Sequence, residues 1–135
     1  MTNVRIERDT NGTYTATNEK GAAIRLGSAS DTLSPVELML AAIGGCTAID
    51  VDTVTSRRAE PDSFVVEVTG DKVKEETGNR VENIEVTFRI KFPEGQNGDQ
   101  ARAILPDIVR KSHDRLCTVS RTIERGTPVA TKIEP

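Results

Sequence analysis

The 135-residue chain carries 18 Lys and Arg against 21 Asp and Glu, a net charge of −3, with no basic block and no interleaving of basic and aromatic residues. Nucleic-acid binding is therefore not expected. With 29% charged and 36% hydrophobic residues, the composition is that of a folded chain, and the length suits a single domain over residues 1–135 with its own core.

Aromatic residues make up only 3% and Trp is absent, so Val, Ile, Leu and Ala must build that core. A core so poor in large side chains points weakly to a partner that completes it. The longest apolar run, Leu38 to Ile43, is too short to cross a bilayer, and Met1 to Asp9 is polar, unlike a signal peptide. The expected location is the cytoplasm, with no membrane contact, where cysteine pairs are usually transient and catalytic rather than structural.

In chain order, Met1 to Arg8 alternates with Val4 and Ile6 on one face and reads as a strand. Asn11-Gly12 signals a tight hairpin, Thr13 to Thr17 a second strand, Asn18 to Gly21 a turn, and Ala22 to Leu26 a third strand. After a Ser/Ala/Asp loop, Ser34 fits an N-cap, Pro35 the first helical position and Glu37 the third, which is a capping box with the favoured proline. The helix is expected to run to about Arg58, before Pro61. Its first half is apolar nearly all round, implying burial on several sides.

Ser63 to Thr69 reads as a Val-rich strand, and Asp71 to Arg80 as a charged hairpin loop with strand-like edges, holding Gly78-Asn79. Asn83 to Phe92 alternates most clearly: Ile84, Val86, Phe88, Ile90 and Phe92 face one way, Glu85, Thr87, Arg89 and Lys91 the other. A second helix is expected from near Asp99, with Ala101, Ile104, Leu105, Ile108 and Ser112 at helical spacing and Pro106 as a kink or early break. Thr118 to Arg125 suggests a short helix stopped by Gly126, and Thr127 to Ile133 a final strand. Three strands, a long helix, two strands, two helices and a strand make an α+β fold with antiparallel sheet.

The chemistry centres on two cysteines. Cys46 sits inside the long helix behind Gly44-Gly45, and each interior glycine costs about 1 kcal/mol against alanine. Close approach of another backbone, or room for a substrate, would explain them. Cys117 precedes a short helix, whose positive end favours a thiolate. Either thiol could equally be a small buried hydrophobe. Glu37 lies nine positions before Cys46, nearly on the opposite side of the helix, so within one chain its role is the cap. Asp50, one turn after Cys46, would raise the thiol pKa rather than lower it. His113 stands four residues before Cys117, and Cys46, Asp50, His113 and Cys117 can be drawn as a zinc site, although a surface or core-edge histidine is the plainer reading.

Taken together, SPVELMLAAIGGCTAIDV around Cys46 and KSHDRLCTVS around Cys117 resemble the OsmC-like family of osmotically induced and organic hydroperoxide resistance proteins, and the order of elements matches throughout. The resemblance implies an intertwined homodimer, with antiparallel sheets wrapped around long central helices. It also implies a thiol-dependent peroxidase needing no cofactor or metal. Cys46 would be the peroxidatic thiolate that attacks a hydroperoxide and becomes a sulfenic acid. Cys117 would resolve it as a disulfide, and an external dithiol would reduce the pair. Peroxidase members of the family carry a glutamate directly after the helix-starting proline; here Val36 stands there and Glu37 one place later. They also carry an arginine in the N-terminal turn region, for which Lys20 and then Arg25 are the candidates. Glu37, Lys20 and Arg25 are thus possible assisting groups. The alternative function is a non-enzymatic dimer of the same fold that senses redox state or binds a small apolar ligand.

Overall fold

A computed structural model describes all residues, Met1–Pro135. The order is β1 (Val4–Thr10), β2 (Thr13–Asn18), β3 (Ala23–Gly27), α1 (Pro35–Thr55), β4 (Ser63–Glu75), β5 (Gly78–Lys91), α2 (Gln96–Lys111), a π-helical turn (Ser112–Leu116) and α3 (Thr118–Glu124). Both sheets are antiparallel, so the α+β architecture expected from the sequence is the one observed. The chain divides into two compact units, Met1–Ala41 and Ala42–Pro135, and α1 runs through the boundary.

The first unit is the meander β1-β2-β3 and the start of α1. Gly12 has φ +79° in the Asn-Gly turn that joins β1 to β2, a conformation that L side chains rarely adopt. The Asn18 side chain closes the next turn, accepting from the backbone N–H groups of Lys20 and Ala22 at 3.0 and 2.9 Å. The capping box forms in full: Glu37 N–H donates to Ser34 Oγ at 3.1 Å, and Ser34 N–H donates to Glu37 Oε1 at 2.9 Å.

The second unit holds the rest of α1 and everything after it. The β4–β5 hairpin is much longer than expected. The charged stretch Asp71–Arg80, read as a hairpin loop with strand-like edges, is mostly ladder, with Lys72 opposite Val81 and Glu75 opposite Gly78, so the strand-like edges extend almost to the turn. This outer part is mostly exposed, with Val73, Val81 and Glu82 only half-buried, so alternation between apolar and polar residues had little to mark. Ion pairs from Arg80 to Glu75 and Glu82, both at 2.8 Å, lie along it instead.

Helix α2 continues through Pro106 to Lys111 without the early break. The final strand is absent: no strand follows α3, and Val129 and Ile133 are 90% and 95% exposed. The alternating pattern of 127–133 is real, but nothing in the chain pairs with it.

The core of the second unit is small. Ala59, Phe92 and Ala101 cluster with the half-buried Ile90 and Leu105. Ile43, Val51, Ile108 and Cys117 are the other buried apolar residues of this unit. Gly44 is buried because α1 crosses β4 there: a Cβ at Gly44 would stand 2.6 Å from Val68 Cγ2. At Gly45 it would meet no atom within 4 Å. Burial of α1 is thus one-sided in the chain itself. Ala42, Gly45 and Ile49 form an exposed stripe at helical spacing. Leu38–Ile43 is only part of the apolar character of α1. The whole helix is long and apolar enough to cross a bilayer by length and composition, a test that core helices of water-soluble proteins also pass.

Candidate active site: a paired thiol

The two cysteines, far apart in sequence, meet inside the second unit. Each thiol lies near enough to the other to shift its titration, and no disulfide joins them. Cys46 is half-buried on α1, whereas Cys117 is 0% exposed.

Local structure explains why Cys117 arrives there. The chain leaves α2 through the π-helical turn, in which Cys117 N–H reaches back to the Ser112 carbonyl at 2.8 Å. The wider turn ends the long helix and lets Cys117 adopt an extended conformation, φ −74° and ψ 99°, as the N-cap of α3. Its sulfur takes the place of the usual capping oxygen. Ser120 N–H donates to Cys117 Sγ at 3.4 Å, and Ser120 Oγ lies 3.2 Å from the same sulfur.

Ser112 ties this turn to α1. Its hydroxyl donates to Asp50 Oδ2 at 2.7 Å. That spends its only proton, so the Thr47 hydroxyl at 2.8 Å must donate to Ser112 Oγ. Thr47 and Ser112 are both buried, and Asp50 is half-buried. Thr47 directly follows Cys46, and Ser112 both bonds Cys117 through its carbonyl and holds α1 through its side chain. The short chain Thr47–Ser112–Asp50 therefore fixes the spacing of the two sulfurs.

The two thiols titrate differently. Burial pushes the Cys46 thiol up, and the neighbouring Cys117 and the Asp50 charge push it further, against one favourable donor, the Val119 N–H. Burial also pushes Cys117 up, but the Ser120 side chain, the Ser120 N–H, the Cys46 thiol and the Val119 N–H all favour its charged form. The net shift of Cys117 is downward. The donors around Cys117 and the single backbone donor and carboxylate facing Cys46 thus bias the pair's charge toward Cys117.

The other candidates have different employments. The Glu37 side chain is used by the capping box. Arg25 pairs with Asp31 at 2.8 Å, and Lys20 is exposed. His113 turns to carboxylates rather than sulfur: Nδ1 is 2.9 Å from Asp114 Oδ1, and Nε2 is 2.9 Å from Glu124 Oε1. A neutral imidazole has only one N–H, so two carboxylate partners favour the imidazolium, and the His113 pKa is raised for that reason. The drawn zinc set does not assemble, since no three His, Cys, Asp or Glu side chains group as ligands.

Ser112, Thr47, Ser120 and the Val119 N–H were not picked out as site groups from the sequence. Ser120 alone left a signal, three residues after a cysteine at a helix start, the offset at which a capping side chain meets its donor. Beyond Ser120 opens a cavity of about 350 Å³, walled by Ile43, Ile84, Val86, Phe88, Val109 and Ile123, with His113 and Glu124 at its lining.

Two neighbouring free thiols thus lie one on a long helix and one at a capping turn, in an α+β frame of antiparallel sheets. The family model for OsmC-like proteins matches residues 27–132, and the chain belongs to that family. An uncharacterised protein of Mycobacterium tuberculosis is 28% identical over 132 residues, covering 96% of this chain and 93% of that one. Among solved structures, a hypothetical protein of Aquifex aeolicus is 24% identical with a TM-score of 0.73, covering 94% of this chain and 89% of the other. An organic hydroperoxide resistance protein of Legionella pneumophila is 17% identical with a TM-score of 0.59, covering 91% and 88%. At these identities the structures establish a shared fold.

Proposed function

We propose that this protein is a cytoplasmic, dimeric thiol peroxidase that reduces hydroperoxides through a Cys46–Cys117 disulfide cycle. The observation that carries the reading is the proximity of two free thiols from distant parts of the sequence, each shifting the other's titration. Packing alone needs no second sulfur there, whereas a two-electron redox cycle does.

Cys46, the more exposed thiol, meets the hydroperoxide. Its proton passes to the adjacent Cys117 thiolate, and the Cys46 thiolate attacks the distal oxygen. The O–O bond breaks, the alcohol leaves with a proton from solvent, and Cys46 becomes a sulfenic acid. Cys117 then loses its proton again and attacks the Cys46 sulfur, releasing water and closing the disulfide. Two thiols and one hydroperoxide thus give one disulfide, one alcohol and one water. An external dithiol restores the thiols.

Two sets of exposed apolar residues support the dimer. One is the α1 stripe, where Ile49 is 68% exposed; the other is the unpaired 127–133 segment with Val129 and Ile133. A second copy would cover the first by helix packing and the second by strand addition.

The test is thiol titration against time with hydrogen peroxide and with an organic hydroperoxide. Rapid loss of both thiols, reversed by a dithiol and abolished in Cys46→Ser, is expected. Undiminished peroxide consumption by Cys46→Ser would overturn the reading. The cavity beside Ser120 favours one second reading, a redox-gated binder of a small apolar ligand. It predicts ligand affinity that changes with thiol oxidation and no turnover.

A further inference from the structure

The site treats its two sulfurs unequally, and the inequality bears on how the disulfide is reopened. Thiol–disulfide exchange is directional: the incoming thiolate must reach one sulfur in line, and the other must leave as a thiolate. Cys46 offers exposed surface on α1, while Cys117 offers none. In the reduced site the Cys117 thiol donates to Ser120 Oγ at 3.2 Å and accepts from the Ser120 N–H at 3.4 Å; a thiolate formed there keeps the N–H and leaves the rotatable Ser120 hydroxyl free to turn and donate, so both stabilise a departing negative charge.

We infer that the external reductant attacks the sulfur of Cys46, and that Cys117 departs as a thiolate received by Ser120. This rests on the disulfide cycle proposed above and names Ser120 as a catalytic residue of its reductive half. In the first step the reductant thiolate forms a bond to Cys46 Sγ, the Cys46–Cys117 bond breaks, and the electron pair goes to Cys117 Sγ. The product is a mixed disulfide on Cys46. The second thiol of a dithiol then attacks the reductant's own sulfur, closing it into a disulfide and freeing Cys46 as a thiolate, which takes the proton released. The downward shift of the Cys117 thiol agrees with this order, because a more stabilised thiolate leaves faster.

The experiment forms the disulfide with diamide, so that it does not depend on peroxide turnover. A brief pulse of cysteamine is stopped with acid, free thiols are alkylated, and the adducts are mapped by mass spectrometry. The expected result is cysteamine on Cys46 and alkylation on Cys117, in roughly tenfold excess over the reverse. Equal amounts, or an excess on Cys117, would overturn the inference. Ser120→Ala should slow reduction on the order of threefold and move the Cys117 titration upward, while Ser120→Thr restores both. A Ser120→Ala variant with unchanged rate and titration also overturns it. If diamide closes the disulfide but peroxides do not, the proposed function fails while the mapped direction of exchange still decides this inference. If diamide cannot join the two sulfurs, both fail.

Discussion

Gly44→Ala isolates the contact that seats α1 on β4. The added methyl would lie 2.6 Å from Val68 Cγ2 and 3.6 Å from Val66 Cγ1. The second distance is ordinary contact, while the first is about 1 Å too short. Alanine gains about 1 kcal/mol over glycine in a helix interior. Against this, forcing a methyl into a packed interface costs about 1–3 kcal/mol. The clash falls on a β-branched side chain with restricted rotamers, so the upper half of that range applies, and a net loss of about 1–2 kcal/mol is expected. Urea unfolding at fixed protein concentration measures it, since dimerisation would make stability concentration-dependent. Because Cys46 lies two residues on, the same displacement should slow disulfide closure by diamide. A Gly44→Ala protein as stable as the parent, closing its disulfide at the same rate, would refute the placement of α1 on β4.

Gly45→Leu reads the exposed side of α1. A Cβ there meets no atom outside its own stretch of helix within 4 Å and the position is exposed, so sedimentation should show loss of the dimer with the monomer fold retained; an intact dimer removes the α1 stripe from the interface. Ser112→Ala strips the Asp50 carboxylate and the Thr47 hydroxyl of their partner and should cost about 1–3 kcal/mol in urea unfolding. The His113 pKa is raised in the folded state, so its contribution to stability is complete below the unfolded value near 6.5 and fades as pH rises through the folded one. The stability difference between the parent and His113→Gln should therefore shrink between about pH 6 and pH 9; a difference that grows would contradict the Asp114–His113–Glu124 cluster. Thiolate absorbance against pH tests the coupling of the sulfurs. Cys117 should titrate higher in Cys46→Ala, which removes a donor, and Cys46 lower in Cys117→Ala, which removes a competing charge.

What was legible in the sequence was local. Ser34, Pro35 and Glu37 announced the helix start because the capping box is a contact between residues three apart. Asn11-Gly12 announced its hairpin, and the alternation from Ile84 to Phe92 announced β5. The outer hairpin was not legible, because charged residues on both faces erase the period of two. Nor was the π-helical turn, since its extra residue only continues a helical pattern from Ile108 to Ser112. For the site, the cysteines could be named, but the elements that carry them are joined by Ser112 to Asp50 and Thr47, residues distant in sequence. The family glutamate and arginine pointed toward Glu37, Lys20 and Arg25, whereas the groups observed at the sulfurs are Ser120, Val119 and Asp50.

The π-helical turn makes this site sensitive to chain length more than to chain chemistry. An α-helical residue turns the backbone by about 100°. Deleting one residue between 113 and 116 would let α2 continue in regular phase and swing Cys117 about that far from Cys46. Substitutions of the exposed residues there should leave the sulfurs in reach, but a change of one in the residue count would part them. The spacing from Ser112 to Cys117 thus works as a ruler: its carbonyl marks one end, its hydroxyl is pinned to α1, and the sulfur sits at the other end.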